Sequence, residues 1–403
     1  LAAAALWRLP FLLREPTLST DIYRYLWDGR VQRAGLNPYA VTPSDPDLAH
    51  LHTPLTRRAE HVTLRAVYPP GAQLFFRAVT AIHESPLALK LALVGCEAAT
   101  VALLLAWPGD PARAAALAVA FAWSPLAAIE VAGSGHVDAL GVAALAGAAV
   151  ALARGRTMAA VVASAAAVSV KPLPLVLLPL FWKWVRPRDA AAGAACLGLL
   201  ALPFVDRRAL PMVSLDVYLE KYRFNGPLFA RLESFTGAAA AAVIAVAAGL
   251  AVATILRARL APACTPSWTT HTDPSGARGG STPPATGDPA IWAWPQAAAL
   301  LFAPVVYPWY LLWLLPFVGG RAGLPLGVWT ASVIATNAVW IHVRAGLGWT
   351  LPGWVYLVEF GAPALALLVA AALLVPAVPR AQRRSDDPLP PARRIAVRRT
   401  ALA

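Results

Sequence analysis

The amino-acid sequence predicts an all-α polytopic membrane protein. Of its 403 residues, 58% are hydrophobic and only 14% are charged, whereas soluble domains carry about 25% charged residues. Several apolar runs reach the ~18–20 residues that a helix needs to cross a bilayer. A net charge of +13 suits nucleic-acid binding or basic membrane loops, and the hydrophobicity favours the second. We therefore expect membrane lipids, and no nucleic acid, as partners.

A single domain is predicted over residues 1–378, as a bundle of about 9–12 transmembrane or half-spanning helices, with a basic disordered tail at 379–403. Because the chain begins at Leu1 without Met and its first apolar run is short, we expect the first membrane helix to be truncated at its start. Residues 14–70 form a polar loop, and residues 257–290, rich in Pro, Ser, Thr and Gly, are predicted to be a disordered insertion. Spans are predicted at residues 86–106, 112–131, 139–153, 190–204, 237–256, 323–343 and 354–375.

Two further apolar runs are interrupted. Lys171 and Pro172 divide the run at 157–182, and both residues are costly inside a single span. The segment Tyr307–Tyr310 divides the run at 291–317. We therefore predict that each run forms two short helices that meet at an apex.

The distribution of positive charge predicts the orientation of the chain. When the broken runs are threaded as hairpins, the side opposite the 14–70 loop carries seventeen of the 34 Lys and Arg residues. The short connections on the loop's own side carry two, Lys171 and Arg344. Because cytoplasmic loops are enriched in positive charge, the 14–70 loop is predicted to be extracytoplasmic, and the insertion and the tail are predicted to be cytoplasmic.

The most informative stretch of the polar loop is Ser19–Val31. Asp21 and Asp28 are seven residues apart, so they lie on one face of a helix. Arg24 and Tyr25 share that face. A carboxylate held above the bilayer can deprotonate an acceptor hydroxyl as a general base. The spacing alone leaves two structural alternatives open, which are an Asp21–Arg24 surface ion pair and an aspartate stabilised by a helix dipole.

Three more polar residues lie at connections on the same side as Asp21. His136 and Asp138 belong to a Gly-rich turn, where they can contact substrate, bind a metal or cap the next helix; we favour substrate contacts. Lys171 lies at a helix break, where a buried cation needs an anion and the next helix presents free N–H groups. We interpret Lys171 as a phosphate-binding residue, and the alternative is an ammonium group that reaches the headgroups.

Other residues on this side are candidates for binding substrate. Arg24 and Arg30 can reach a phosphate or a lipid headgroup, although a solvated helix face explains both equally. Amide and aromatic side chains suit sugar hydroxyls and pyranose faces, but loop turns also explain the asparagines and an interfacial belt explains the aromatic residues. The sugar-binding candidates are Asn37, Tyr68, Asn225, Tyr307 and Trp309.

Other enzyme classes are not indicated. The sequence has no Walker motif and no dinucleotide-binding Gly loop, so a soluble nucleotide-sugar or ATP site is not expected. The three cysteines show no metal-ligand spacing, and no metal or other cofactor is predicted. Glu97, inside a predicted span, and Glu130 have no predicted role, and whether Glu97 pairs with Lys90 or Arg113 depends on geometry that the sequence does not show.

These motifs resemble the GT-C superfamily of integral-membrane glycosyltransferases, in particular the bacterial polyprenol-phosphate-mannose-dependent mannosyltransferases. The resemblance rests first on Asp21–Val31, which reads Asp-Ile-Tyr-Arg-Tyr-Leu-Trp-Asp-Gly-Arg-Val. It covers nearly the whole chain except the insertion, which has no role in the pattern. The other motifs are Gly35-Leu-Asn-Pro-Tyr39, Tyr68-Pro-Pro70, Gly135-His-Val-Asp138, Lys171-Pro172 and Tyr307-Pro-Trp-Tyr310.

The resemblance implies inverting transfer of a sugar, usually mannose, from a polyprenyl-phosphate donor to a hydroxyl of a lipid-linked or cell-envelope glycan acceptor. The reaction would occur on the extracytoplasmic face of the bacterial plasma membrane. The resemblance implies that Asp21 is the base, that Asp28 supports it and that Lys171 neutralises the leaving phosphate. Many such relatives need no metal, so metal independence is expected. Two other functions stay open, a lipid-linked glycan flippase or transporter and a catalytically inactive scaffold of the same fold.

Overall fold

The computed structural model describes residues 1–206, 217, 221–260 and 288–374. Within these residues, four helices are long and apolar enough to cross a membrane, or five if one bent pair forms a single span. Four shorter apolar helices accompany them. The predicted class, an all-α polytopic membrane protein, is therefore confirmed. The predicted tail and most of the predicted insertion lie outside the described residues.

The first third of the chain inserts a polar helix between apolar ones. Proline occupies the first turn of the third and fourth helices, where its missing N–H leaves no hydrogen bond unmade. Two 3₁₀ helices, Pro46–Leu51 and Thr56–Arg58, lie in the loop before the third helix. The helices are α1 (Ala2–Leu12), α2 (Asp21–Arg33), α3 (Pro70–Ile82) and α4 (Pro86–Leu105).

The middle of the chain contains two breaks. A bend of 44° at Pro125 separates two helices where the sequence predicted one span at 112–131, because proline cannot continue the hydrogen bonding of a helix. The predicted break at Lys171 is confirmed, since one helix ends at Val168 and the next begins at Leu173. The helices are α5 (Pro111–Ala122), α6 (Pro125–Gly133), α7 (Asp138–Ala153), α8 (Thr157–Val168), α9 (Leu173–Trp184) and α10 (Pro187–Ala201).

The last part of the chain confirms the second predicted break. A helix ends at Leu301 and the chain resumes as 3₁₀ helix at Pro308–Trp313. Residues 257–260 of the predicted insertion are helical, because a helix continues to Leu260. The helices are α11 (Pro227–Thr236), α12 (Ala238–Leu260), α13 (Trp294–Leu301), α14 (Gly320–Arg344) and α15 (Gly353–Leu374).

Helix α7 lies at the centre of the bundle, packed against α4 and α8. Helices α12 and α13 form a second pair and α14 and α15 a third. The main core joins side chains of α4 to α8 with those around the α13–α14 connection. This arrangement brings the two broken runs to the same region as the turn that precedes α7.

Helix α2 is enclosed by protein rather than laid open on a surface. The ring of Tyr25 stacks on Phe76 of α3 with centroids 4.3 Å apart. Gly29 permits this close approach, because a Cβ there would lie 2.7 Å from the Phe76 carbonyl oxygen. Side chains on several sides of the helix, including Ile22 and Trp27, are buried. The orientation of α2 is therefore fixed by α3 and by the loop around it.

Glu97 pairs with Arg8 and not with Lys90 or Arg113, the two partners that the sequence left open. Arg8 Nε donates to Glu97 Oε2 over 2.9 Å, and both side chains are buried. Lys90 instead donates to the backbone carbonyls of Phe11 and Arg14. The sequence could not separate these options, because the partner lies 89 residues away on a different helix.

Candidate active site

A cavity of about 720 Å³ opens beside the first turn of α2. Its wall is formed by the 14–70 loop, the turn before α7, the α8–α9 break and the segment around Tyr307. The sequence motifs from these separate connections therefore meet at one place. Polar and aromatic residues of the wall include Asp21, Arg24, Glu60, Arg65, Tyr68, Asp138, Lys171, Tyr222, Arg223, Tyr307, Trp309, Tyr310, Trp340 and Trp349.

Asp21 begins α2 and is held from two directions. Its backbone N–H donates to Ser19 Oγ over 3.2 Å, and the Tyr68 hydroxyl donates to Oδ2 over 3.0 Å. The Tyr25 hydroxyl in turn donates to the Tyr68 hydroxyl over 3.1 Å. The side chain is 31% exposed, and Oδ1 accepts no hydrogen bond from any described residue. Asp21 thus offers one oxygen to the cavity while the other is fixed.

The hydroxyl of Tyr68 is suited to this donor role. Burial raises the pKa of Tyr68 well above its ordinary value, and the negative charge of Asp21 raises it further. The phenol therefore stays protonated at neutral pH and donates to the carboxylate. The backbone carbonyl of Tyr68 also accepts from the Tyr39 hydroxyl over 2.6 Å, which fixes the position of the residue.

Asp28 lies behind the cavity wall and has no exposed surface. Its Oδ1 accepts from Arg24 Nε and its Oδ2 from Gln73 Nε2, each over 2.8 Å. Both carboxylate oxygens are therefore occupied. Asp28 holds the guanidinium of Arg24 at the cavity wall. A guanidinium in this place suits a phosphate group. Its Nη2 atom is buried and has no hydrogen-bond partner in the described part of the chain.

Lys171 lies at the cavity wall in contact with Asp138. Lys171 Nζ donates to Asp138 Oδ1 over 2.8 Å, and the same oxygen accepts from Trp313 Nε1 over 2.6 Å. The ammonium also lies 3.4 Å from the centroid of the Tyr310 ring. Burial lowers the pKa of Lys171, while the carboxylates of Asp138 and Asp21 raise it. Asp138 thus holds a lysine rather than capping α7.

His136 is fully buried and is not part of the cavity wall. Its Nδ1 lies 3.8 Å from Asp21 Oδ2, and its Nε2 lies 3.2 Å from Glu130 Oε2. The imidazole stacks on Trp309 with centroids 3.8 Å apart. His136 therefore lies behind Asp21, and the predicted direct contact with substrate is not supported by its burial.

A row of stacked rings extends from His136 along the cavity. Trp309 stacks on Tyr307 with centroids 4.3 Å apart, and Tyr307 stacks on Phe224 with centroids 4.7 Å apart. The backbone of Phe224 forms two hydrogen bonds. Its N–H donates to the Pro304 carbonyl, and its carbonyl accepts from the Val306 N–H. The aromatic segment predicted as a substrate platform therefore lies on the cavity wall, but the faces of Tyr307 and Trp309 are covered by neighbouring rings.

The sequence comparisons point to one family. Residues 1–186 match the N-terminal domain of the alpha-(1->6)-mannopyranosyltransferases. Alpha-(1->6)-mannopyranosyltransferase A of Mycobacterium tuberculosis is 28% identical to the chain over 221 residues. The resemblance to membrane mannosyltransferases is thereby confirmed. The match covers 49% of this chain, and the chain spans 41% of the length of that relative. No solved structure is significantly similar to the chain.

The region matched by the mannosyltransferase family contains Asp21, Tyr68, His136, Asp138 and Lys171. The aromatic segment at 307–310 lies beyond it. The cavity therefore joins residues of the matched region to residues outside it. The roles of all these residues stay predictions.

Besides Asp28 and His136, three more candidates from the sequence are not brought to the cavity wall. Arg30 pairs with Glu84 over 2.8 Å. Asn37 donates to the Phe204 carbonyl and forms a turn with its own loop. Asn225 is buried, and its amide donates to Glu359 and to the Val306 carbonyl. All three stabilise loops or helix contacts here, and their binding roles stay untested.

The structure adds residues that the sequence reasoning missed. Arg65 lies on the cavity wall with no ion-pair partner among the described residues. The only hint of Arg65 in the sequence was its position three residues before the Tyr68 motif. Glu130 lies next to His136, although the two residues are six positions apart in the sequence. An ordinary α-helix does not bring residues at that spacing onto one face. Across the described ranges, no group of three or more His, Cys, Asp and Glu side chains could hold a metal ion. Metal independence stays a prediction.

Proposed function

We propose that this protein is an inverting glycosyltransferase that moves mannose from a polyprenyl-phosphate donor to a hydroxyl group of a lipid-linked or cell-envelope glycan. The observation that carries the proposal is that Asp21 and Lys171 line one cavity. The cavity therefore offers a base and a cation to the two ends of a displacement. The match of residues 1–186 to a mannosyltransferase family supports the choice of sugar.

Asp21 is the proposed general base. The acceptor hydroxyl donates to the free Oδ1 of Asp21 and loses its proton to the carboxylate as its oxygen attacks the anomeric carbon. The bond from that carbon to the donor phosphate oxygen breaks, and the electron pair leaves with the phosphate. Attack opposite to the leaving group inverts the anomeric configuration. The hydrogen bond from Tyr68 fixes the carboxylate for this attack.

Positive groups at the cavity stabilise the departing phosphate. An ammonium group has three donors, and Lys171 uses one on Asp138. Arg24, which Asp28 holds at the same cavity wall, adds a second positive group. Donors fixed before the reaction stabilise developing charge at little reorganisation cost. The polyprenyl phosphate leaves as an already charged group, so no nucleotide is needed.

The remaining parts of the wall suit the sugar and the lipid. Tyr307 and Trp309 are each stacked on both faces, so they offer ring edges and polar groups, rather than ring faces, to the sugar. We propose that the cavity opens to the extracytoplasmic side of the bacterial plasma membrane. The excess of Lys and Arg on the opposite side supports that orientation.

Transfer by reconstituted protein tests the proposal. The full chain in proteoliposomes receives radiolabelled polyprenyl-phosphate mannose and bacterial membrane lipids as acceptors. We expect labelled glycolipid with the wild type and with Asp47→Asn, whose exposed aspartate lies outside the cavity, and none with Asp21→Asn. Movement of the donor across the bilayer without transfer would establish the flippase instead. Neither activity would indicate an inactive scaffold.

Labelling of a single cysteine tests the orientation. Cys96, Cys196 and Cys264 are replaced by alanine, and Asp47→Cys introduces one thiol in the 14–70 loop. A membrane-impermeant maleimide is expected to label this thiol in intact cells. Labelling only after lysis would place the loop, and the cavity with it, on the cytoplasmic side.

A further inference from the structure

Two buried ionisable groups stand in a row behind Asp21. Glu130 Oε2 lies 3.2 Å from His136 Nε2, and His136 Nδ1 lies 3.8 Å from Asp21 Oδ2. Both ring nitrogens therefore face a carboxylate. Glu130 and His136 are fully or almost fully buried, whereas Asp21 reaches the cavity. The row runs from the interior of the bundle to the proposed site of proton removal.

The local backbone is built to hold this pair together. Residues Ala128–Gly133 form a π-helical turn, a rare element that often occurs at functional sites. The His136 N–H donates to the Glu130 carbonyl over 3.0 Å, which places the two side chains next to each other. Gly135 supplies the positive φ of 77° that the turn requires. Stacking on Trp309 fixes the plane of the imidazole.

The polar groups of this row are not consumed by other contacts. Three buried polar atoms of this row form no hydrogen bond within the described ranges. They are the two ring nitrogens of His136 and Glu130 Oε1. Buried polar atoms without partners are uncommon, so each calls for an explanation. The other charged groups of this region are already engaged, Lys90 by backbone carbonyls near the end of α1 and Asp138 by Lys171.

We infer that His136 is a positioning residue that acts through Asp21, and that Glu130 completes a carboxylate–imidazole–carboxylate row. The inference rests on the proposed function of Asp21. The row holds the Asp21 carboxyl in place and receives the proton that Asp21 takes from the acceptor. At 0% exposure, His136 acts on the reaction through Asp21 and not through the sugar.

The proton balance of this step is complete. The acceptor hydroxyl gives its proton to Asp21 as its oxygen bonds to the anomeric carbon, and the electron pair of the broken bond leaves with the phosphate. Rotation of the protonated carboxyl exchanges its two oxygens and turns the proton toward His136, whose Nδ1 accepts it, which restores the Asp21 carboxylate. Glu130 stabilises the imidazolium. The present 3.8 Å separation exceeds a hydrogen bond by about 1 Å, and such contacts commonly tighten when substrate binds.

Steady-state kinetics of volume-matched variants test the inference. We expect His136→Gln to lower kcat by about tenfold to a hundredfold, at the low end of general acid–base effects, with an unchanged KM for the donor. Glu130→Gln is expected to lower kcat less. The matched control is His52→Gln, because His52 also stacks on a tryptophan, Trp27, but lies outside the cavity. Monodisperse elution and thermal unfolding establish that each variant is folded.

The pH profile separates a proton-holding role from a structural one. Glu130 Oε2 lies 3.2 Å from His136 Nε2, so its negative charge stabilises the protonated ring that forms during turnover. The acid limb of kcat/KM is therefore expected to move to lower pH in Glu130→Gln. A structural role would reduce the amount of active enzyme and leave the limb in place. Wild-type kcat and pH profile in both variants would overturn the inference while leaving Asp21 as the base.

A measurement without substrate decides the matter if no transfer is found. The seven histidines are isotope-labelled, and the His136 signal is identified by its loss in His136→Gln. We expect its ring signals to shift in Asp21→Asn and again in Glu130→Gln, because each substitution replaces a carboxylate within 3.8 Å of a ring nitrogen. Ring signals that neither substitution shifts would overturn the row, whatever the activity of the protein proves to be.

Discussion

The hydroxyl of Tyr68 donates a hydrogen bond of 3.0 Å to Asp21 Oδ2 across 47 residues of sequence. This contact joins the end of the 14–70 loop to the first turn of α2. It leaves the two oxygens of the carboxylate in different environments, one bound to a phenol and one free for an acceptor. The Lys171 ammonium lines the same cavity as this carboxylate.

Replacing Tyr68 by phenylalanine should slow transfer without unfolding the site. A hydrogen bond to a charged group contributes about 1.5–3 kcal/mol, so we expect kcat/KM of Tyr68→Phe to fall by about tenfold to a hundredfold. Tyr23→Phe is the control, because the buried Tyr23 hydroxyl has no hydrogen-bond partner in the described part of the chain. Equal rates in the two variants would remove Tyr68 from the account.

Removing the Lys171 ammonium should impair departure of the phosphate. We expect Lys171→Met to lower kcat by about a hundredfold, the typical effect of deleting one donor to a developing negative charge. Lys183→Met is a matched control, since Lys183 also lies over an aromatic ring, that of Trp184, but is not part of the cavity wall. A Lys171→Met enzyme as fast as the control would assign the phosphate to other residues, with Arg24 and Arg65 next to be tested.

The architecture was largely predictable because it follows from local sequence. Hydrophobic run length predicted the class, and Lys171-Pro172 predicted a broken helix that the structure confirms. Pro125 breaks the span predicted at residues 112–131. The proline was visible in the sequence, but the length of the hydrophobic run was given more weight in that prediction. Asp21 was found because its spacing from Asp28 predicts a shared helical face.

The pairings of the site were not predictable, because they join residues far apart in the chain. Nothing in the sequence shows that Lys171 meets Asp138 and Trp313. Asp28 and Asp21 look equivalent from spacing, and only packing against Gln73 makes Asp28 a buried structural group. Glu130 reaches His136 through a π-helical turn, which ordinary helix periodicity does not indicate.

Close packing of α2 on α3 should make Gly29 intolerant of a methyl group. We expect Gly29→Ala to lower the free energy of unfolding by about 1–3 kcal/mol through overpacking, because the new Cβ meets Thr80 and the Phe76 carbonyl. Gly95→Ala has the opposite expectation, a gain of about 0.5–1 kcal/mol, since nothing lies within 4 Å of a Cβ there. Thermal unfolding in one detergent compares them. Equal changes in the unfolding temperature of the two variants would contradict the close approach of α2 and α3.

The buried pair of Arg8 and Glu97 should support the bundle. Removing one member leaves an uncompensated buried charge, so we expect Glu97→Ala to lower the free energy of unfolding by about 3–5 kcal/mol. The control is Glu15→Ala, because the Glu15–Arg58 pair is largely exposed and such pairs contribute about 0–1 kcal/mol. Chemical denaturation in detergent measures both. A small effect at Glu97 would show that Arg8 is adequately satisfied by the Ala4 and Ala122 carbonyls.

The most direct test of the central claim compares Asp21→Asn with Asp28→Asn in one single-turnover transfer assay. Both variants are reconstituted at equal folded amounts with radiolabelled polyprenyl-phosphate mannose. The account predicts that Asp21→Asn loses about a hundredfold to ten-thousandfold in rate, the contribution expected of a general base. We expect folded Asp28→Asn to stay within about tenfold of the wild type, because Asp28 binds Arg24 and Gln73 and does not reach the cavity. Transfer by Asp21→Asn at a rate near that of the wild type would contradict the assignment of Asp21 as the base.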